Sequence, residues 1–108
     1  MNPVSPLTTD RWDTATFHAE LGQWIEAAEV LAGLVADEPD ATAARLLLAR
    51  AYFHSAQLQR AEAEARTLVA ANPADGYAHL LLGRALARQS RHDEAAGPLK
   101  LAAALGVS

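Results

Sequence analysis

Residues 42–75 read TAARLLLARAYFHSAQLQRAEAEARTLVAANPAD, and this stretch decides the architecture. It carries two apolar stripes at helical spacing, first Ala44, Leu47, Leu48, Ala51 and Tyr52, then Leu58, Ala61, Ala65, Leu68 and Val69. Asn72-Pro73-Ala74-Asp75-Gly76 closes the stretch as a turn, because proline at 73 disfavours helix at Asn72. The pattern returns at a spacing of 34 residues. Ala27, Ala61 and Ala95 share that spacing, as do Pro39 and Pro73, Leu48 and Leu82, Leu34 with Leu68 and Ala102, and Arg50 and Arg84. A repeat of this length is a helix–turn–helix unit that cannot bury its apolar face alone and must stack on neighbours.

Working outward, the pattern predicts six helices. Thr9 to Leu21 opens after Pro3 and Pro6, with Thr8 or Thr9 as N-cap and Asp10 and Asp13 in the first turn. Its stripe (Trp12, Ala15, Ala19, with Phe17 and Leu21) is the weakest in the chain. Gln23 to Ala36 follows, with Trp24, Ala27, Ala28, Leu31, Leu34 and Val35 on one face. The next three are Ala41 to Ser55, Gln57 to Ala71 and Tyr77 to Gln89. The last begins after a capping pattern at Ser90 and runs to about Ala104, with Gly106 as its stop. Gly97-Pro98 conflicts with a helix there and predicts a kink near Glu94 or a late start. Short connections make neighbours antiparallel, giving hairpins over 8–41, 42–75 and 76–108 in a single domain behind a flexible segment, 1–7.

Alanine is about a quarter of the chain and has the best helix propensity. The alanine excess and eight arginines against one lysine suggest a GC-rich bacterial genome. There is no cysteine, so neither disulfides nor thiolate metal sites are available, which suits a reducing cytoplasm. No apolar run approaches the ~20 residues of a membrane span. Net charge is −4 but uneven. Residues 1–41 hold eight acids against Arg11 alone, whereas residues 42–108 hold eight bases against five acids. This is either drift over a short chain or a polarised rod able to meet another copy head to tail.

The combined spacing resembles the tetratricopeptide repeat family over about residues 8–105. The middle unit carries it best, through Leu48-Ala49, Tyr52, Ala61 and Pro73. The third offers Leu82-Gly83, Ala95 and Ala102, and the first Ala15, Gly22, Ala27 and Pro39. The resemblance implies an all-α fold: a right-handed α-solenoid of three helical hairpins, with a concave groove lined by the first helix of each. Small residues at Ala49, Ala61 and Gly83 then permit close helix approach.

By the same resemblance, the groove includes Trp12, Asp13 and Thr16, then Leu46, Leu47, Arg50, Phe53 and His54, then Tyr77, Leu80, Leu81, Arg84 and Arg88. Guanidinium groups beside Phe53 and Tyr77 suit a carboxylate-bearing, partly apolar peptide. The alternative is arginines that are solvated or paired with nearby acids. Leu46 and Leu80 occupy matching positions outside the apolar stripe, which favours a groove. The carboxylate clamp of chaperone-binding members is not expected: its slots read Trp12, Thr16, Leu47, Tyr77 and Leu81, and none matches.

On the last helix, Leu101 and Leu105 stand outside the stripe Ala95, Leu99, Ala102. Their counterparts 34 residues earlier are Thr67 and Ala71. Such a face meets a partner or a second copy, or is covered by a loose tail. The histidines His18, His54, His79 and His92 lack metal spacing, and there is no phosphate loop or glycine-flanked serine. Ser55 and Ser90 are expected to cap helices. No cofactor is expected, and a pI near 5.4 disfavours nucleic acid. The sequence thus points to a cytoplasmic adaptor binding a protein or peptide of acidic character, or to a self-associating module forming homo-oligomers, rather than to an enzyme.

Overall fold

Three residues 34 apart, Gly22, Ala56 and Ser90, all have left-handed backbone, with φ of 71°, 60° and 62°. Each follows the first helix of a hairpin and reverses the chain. The amide three residues past each helix end donates back to the carbonyl five positions earlier: Gln23 to His18 at 2.8 Å, Gln57 to Tyr52 at 2.8 Å and Arg91 to Leu86 at 3.0 Å. This satisfies carbonyls that a helix end would leave bare. Only the first repeat places glycine at this point, where an L side chain is disfavoured. Ser90 is therefore a turn residue. The expected serine cap falls instead on Arg91, which makes no side-chain capping bond.

A computed structural model describes residues 6–108. The helices are α1 (Pro6–Glu20), α2 (Trp24–Asp37), α3 (Thr42–His54), α4 (Leu58–Ala71), α5 (Gly76–Arg88) and α6 (His92–Ala104). There is no strand among the described residues. α1 corrects its sequence reading. It begins at Pro6, so Thr8 and Thr9 lie inside the helix and no acid stands in its first turn. Proline is well placed at a helix start, where its missing N–H costs nothing. Of the segment 1–7 expected to be flexible, residues 6 and 7 belong to α1, and the first five lie outside the described residues. α6 is a second correction. It runs unbroken across Pro98, starting at His92 rather than late.

Successive helices pack on one another from α1 to α6, and α3 also touches α5. The core is a chain of linked patches rather than a single centre. Leu31, Leu34 and Val35 of α2 meet Ala44, Leu47, Leu48 and Ala51 of α3. Further along, Leu68 meets Ala78 and Leu81, and Ala65 meets Leu82, Leu86 and Ala95.

Volume is traded between repeats at fixed register. A Cβ on Gly83 would lie 2.6 Å from the Leu99 side chain. The matching positions in the middle repeat are Ala49 and Ala65, so one hairpin pairs two alanines where the next pairs glycine with leucine. Gly76 does the same against Leu105 and Val107, at 3.0 and 2.9 Å, where the middle repeat has Thr42 and Ala71. Interiors are filled to crystal-like density, so a larger residue on one helix requires a smaller one opposite.

Candidate functional site

The first helices of the hairpins, α1, α3 and α5, share one side of the stack. On that side, Arg50 of α3 lies over the Trp24 ring, 5.7 Å from its centre. Trp24 stacks on His54 at 4.5 Å, and His54 meets Phe53 edge-on at 5.5 Å. Arg88 of α5 caps Phe53 at 5.1 Å. The result is a ladder of three rings with a cation at each end, joining α2, α3 and α5. Guanidinium over an aromatic face is attractive and keeps the charged group oriented.

The ladder's arginines have no acid. Arg11, Arg45, Arg66 and Arg91 form ion pairs with Asp37, Glu64, Glu62 and, for Arg91, both Glu62 and Glu94. Arg50, Arg84 and Arg88 make no ion pair among the described residues. Arg50 Nε is buried without a hydrogen-bond partner. Arg11 Nε shares that condition, but its guanidinium is anchored to Asp37 Oδ2 at 2.8 Å.

Beside Arg50, an open pocket of about 320 Å³ is lined by Thr16, Ala19 and Glu20 of α1, Trp24 of α2, and Leu47 and Arg50 of α3. Glu20 makes no ion pair with Arg50 or any other described base. His54 is less basic than an ordinary histidine, because partial burial and then the charges of Arg50 and Arg88 disfavour its protonated form. It faces these two cations from α3 and α5 and the Trp24 ring from α2.

The expected groove residues divide. Arg50, Phe53, His54 and Arg88 come together in the ladder. Leu46 packs half-buried beside Phe53 on the patch around Ala49 and Leu81. Trp12 packs half-buried on the patch between α2 and α3. Arg84 is exposed and Tyr77 half-buried, and neither joins the ladder. Leu47, Leu80 and Leu81 are 9%, 6% and 4% exposed and pack in the core, Leu47 also lining the pocket beside Arg50. Leu80 in particular does not present apolar surface to a groove. Its helix is buried on most of its circumference between α4, α6 and α3.

Trp24 is the ladder residue that sequence reading assigned only to a core face. The available signal is a break in the repeat: positions 58 and 92, its counterparts, are Leu58 and His92. The remaining histidines have structural tasks. His79, buried, hydrogen-bonds through Nε2 to the Pro73 carbonyl at 2.8 Å. His18 Nδ1 meets Gln23 Oε1 at 2.6 Å across the first turn. Among the described residues no cluster of side chains has the makings of a metal site. No described helix is long and apolar enough to cross a membrane.

Two-helix units in 34-residue register, stacked with their first helices on one side, define a helical-repeat interaction scaffold. The chain belongs to the tetratricopeptide repeat family, whose profile matches residues 18–85. Repeats of this family mediate protein–protein contacts and are not a family of enzymes. Solved structures of MamA share the fold. A MamA R50E mutant, numbered in its own chain, gives a TM-score of 0.88 at 17% identity, covering 94% of this chain and 74% of that one. MamA 41-end from Desulfovibrio magneticus RS-1 gives 0.83 at 24% identity, over 92% of this chain and 56% of that one. MamA MSR-1 C2 gives 0.86 at 16% identity, over 92% and 57%. At these identities the likeness is one of fold alone, and the chain spans little more than half of the latter two. No curated protein sequence matches it.

Proposed function

We propose that residues 8–108 form one adaptor domain that holds a segment of another protein against α1, α3 and α5. The segment carries a carboxylate flanked by apolar or aromatic side chains. The observation that carries this reading is the set of unpaired arginines, Arg50, Arg84 and Arg88, two of them held over aromatic rings. Leaving a guanidinium without an acid while other arginines of the same chain are paired keeps its donors for an incoming carboxylate. Phe53, Trp24 and Leu46 supply the apolar contact. Substituting Arg50→Glu with Arg84→Glu tests the reading. Partners captured from the native host by the wild-type protein are expected to be lost, with helical content and melting unchanged. Retention of every partner would remove the groove from consideration.

A second reading has its own observation. Leu101 and Leu105 are 51% and 43% exposed on α6, one turn apart. On this reading the chain self-associates through α6. Light scattering then shows a dimer that Leu101→Glu with Leu105→Glu abolishes without unfolding. A wild-type monomer at high micromolar concentration excludes it.

A further inference from the structure

The repeat register lines up three side chains along the groove: Glu20 on α1, His54 on α3 and Arg88 on α5, each 34 residues from the next. A neighbouring row reads Thr16, Arg50 and Arg84. These rows are physically joined. Glu20 and Arg50 line one pocket across α1 and α3, and Arg88 sits on Phe53 across α3 and α5. Glu20 is exposed, and neither it nor Arg84 nor Arg88 has an ion-pair partner among the described residues. Asp13, also exposed and unpaired, adds to the negative edge at α1. The groove therefore carries acids at its α1 end and bases at its α5 end, and between them an aromatic centre of Trp24, Phe53 and His54 with Arg50 over the Trp24 ring.

We infer that the groove selects a segment of mixed charge and fixes its direction. The segment's basic end lies over α1, its apolar residue meets the aromatic centre, and its acidic end lies over Arg84 and Arg88. This rests on the groove reading above and narrows it: a uniformly acidic segment would meet Glu20 and Asp13 with like charge. Helices of successive hairpins stack roughly 9 Å apart, so the α1-to-α5 span of about 18 Å corresponds to about six extended residues. A surface whose two ends differ in sign discriminates against a reversed ligand as well as against a uniformly charged one.

The test uses three capped seven-residue peptides around a central phenylalanine. One has two lysines at the start and two glutamates at the end, one has glutamates at both ends, and one has lysines at both. Backbone amide NMR titration of the full chain locates each and gives its affinity. A nitroxide on the acidic end of the mixed peptide reports direction. The mixed peptide is expected to bind on α3 about fivefold more tightly than either control. The label should broaden α5 amides and spare α1. Glu20→Lys, an exposed change, should transfer the preference to the all-acidic peptide. An all-acidic peptide that binds α3 as tightly to the wild type overturns the directional inference and leaves the groove standing. Absence of any peptide from α3 overturns the groove reading itself. Concentration-dependent dimerisation that shifts α1 and α5 amides together assigns the groove to a second copy and overturns both.

Discussion

Seven of the eight arginines fall into two groups that differ in partners rather than in chemistry, while Arg60 lies over Tyr52 and donates to Gln57. Arg45 reaches Glu64 at 2.6 Å and also the Pro39 carbonyl at 3.1 Å, tying α3 to α4 and to the preceding turn. Arg91 joins Glu94 and Glu62, and Gln89 adds a further bond to the same Glu62, fastening the second hairpin to the third. These charges are structural fasteners along the seams. Arg50 and Arg88 instead rest on aromatic rings, and Arg84 stands exposed, none of the three in an ion pair among the described residues. The difference teaches that the same residue type fastens the stack where an acid faces it and keeps its donors unengaged by acids where none does.

The comparison breaks most easily at the seams, where packing gives the largest effects. Gly83→Leu forces a side chain into the space of Leu99 and is expected to cost about 3 kcal/mol, read by thermal or urea melting. An unchanged melt would show that α5 and α6 are not in close contact. Next in size is Glu62→Gln. Burial opposes ionisation of Glu62, but hydrogen bonds from Gln89, Arg66 and Arg91 outweigh it and hold its carboxyl below the usual range. Losing those charge-assisted bonds should cost about 2 kcal/mol. A carboxyl depressed in the folded state stabilises above its unfolded value, and that contribution disappears as pH falls. The wild type should therefore lose stability below about pH 4.5 more steeply than Glu62→Gln does.

Arg45→Gln against Arg50→Gln sharpens the contrast directly. The first breaks a half-buried pair and should cost about 1–2 kcal/mol, whereas the second should change stability by less than about 0.5 kcal/mol. Equal losses in denaturant melts would erase the distinction between the groups. A smaller effect follows from Ala56 and Ser90, which hold left-handed backbone with a side chain. Ala56→Gly and Ser90→Gly should each raise stability by about 0.5–1 kcal/mol, since Gly22 shows that the turn accepts glycine. Smallest is His54, whose folded form binds its proton more weakly than the unfolded chain. Its contribution is present at neutral pH and is lost as pH falls below about 6.5. A bound carboxylate neutralises Arg50 and Arg88, so NMR titration should show a higher His54 pKa with ligand than without.

Much of the fold was legible before any coordinates. The 34-residue recurrence of small and proline residues indicated stacked hairpins, and both ends of α2, α3, α4, α5 and α6 fall within about two residues of their expected places. The start of α1 was missed because its stripe is weak and Pro6 reads equally as a breaker and as a first helical residue. The late start considered for α6 does not occur: the helix begins at His92 and packs on α5.

The order and spacing of small and large residues, a one-dimensional property, determined that the chain builds two-helix units and that these pile up. Periodicity suffices for that, because each helix has to hide one face and the next repeat offers the matching one. Which arginines remain without an acid, that Trp24 stacks on His54 as well as packing on the core, and that Leu80 disappears beneath its neighbours were decided only by the packed molecule. Partner choice for a charge or a ring depends on distances between helices that sequence spacing along one helix does not contain.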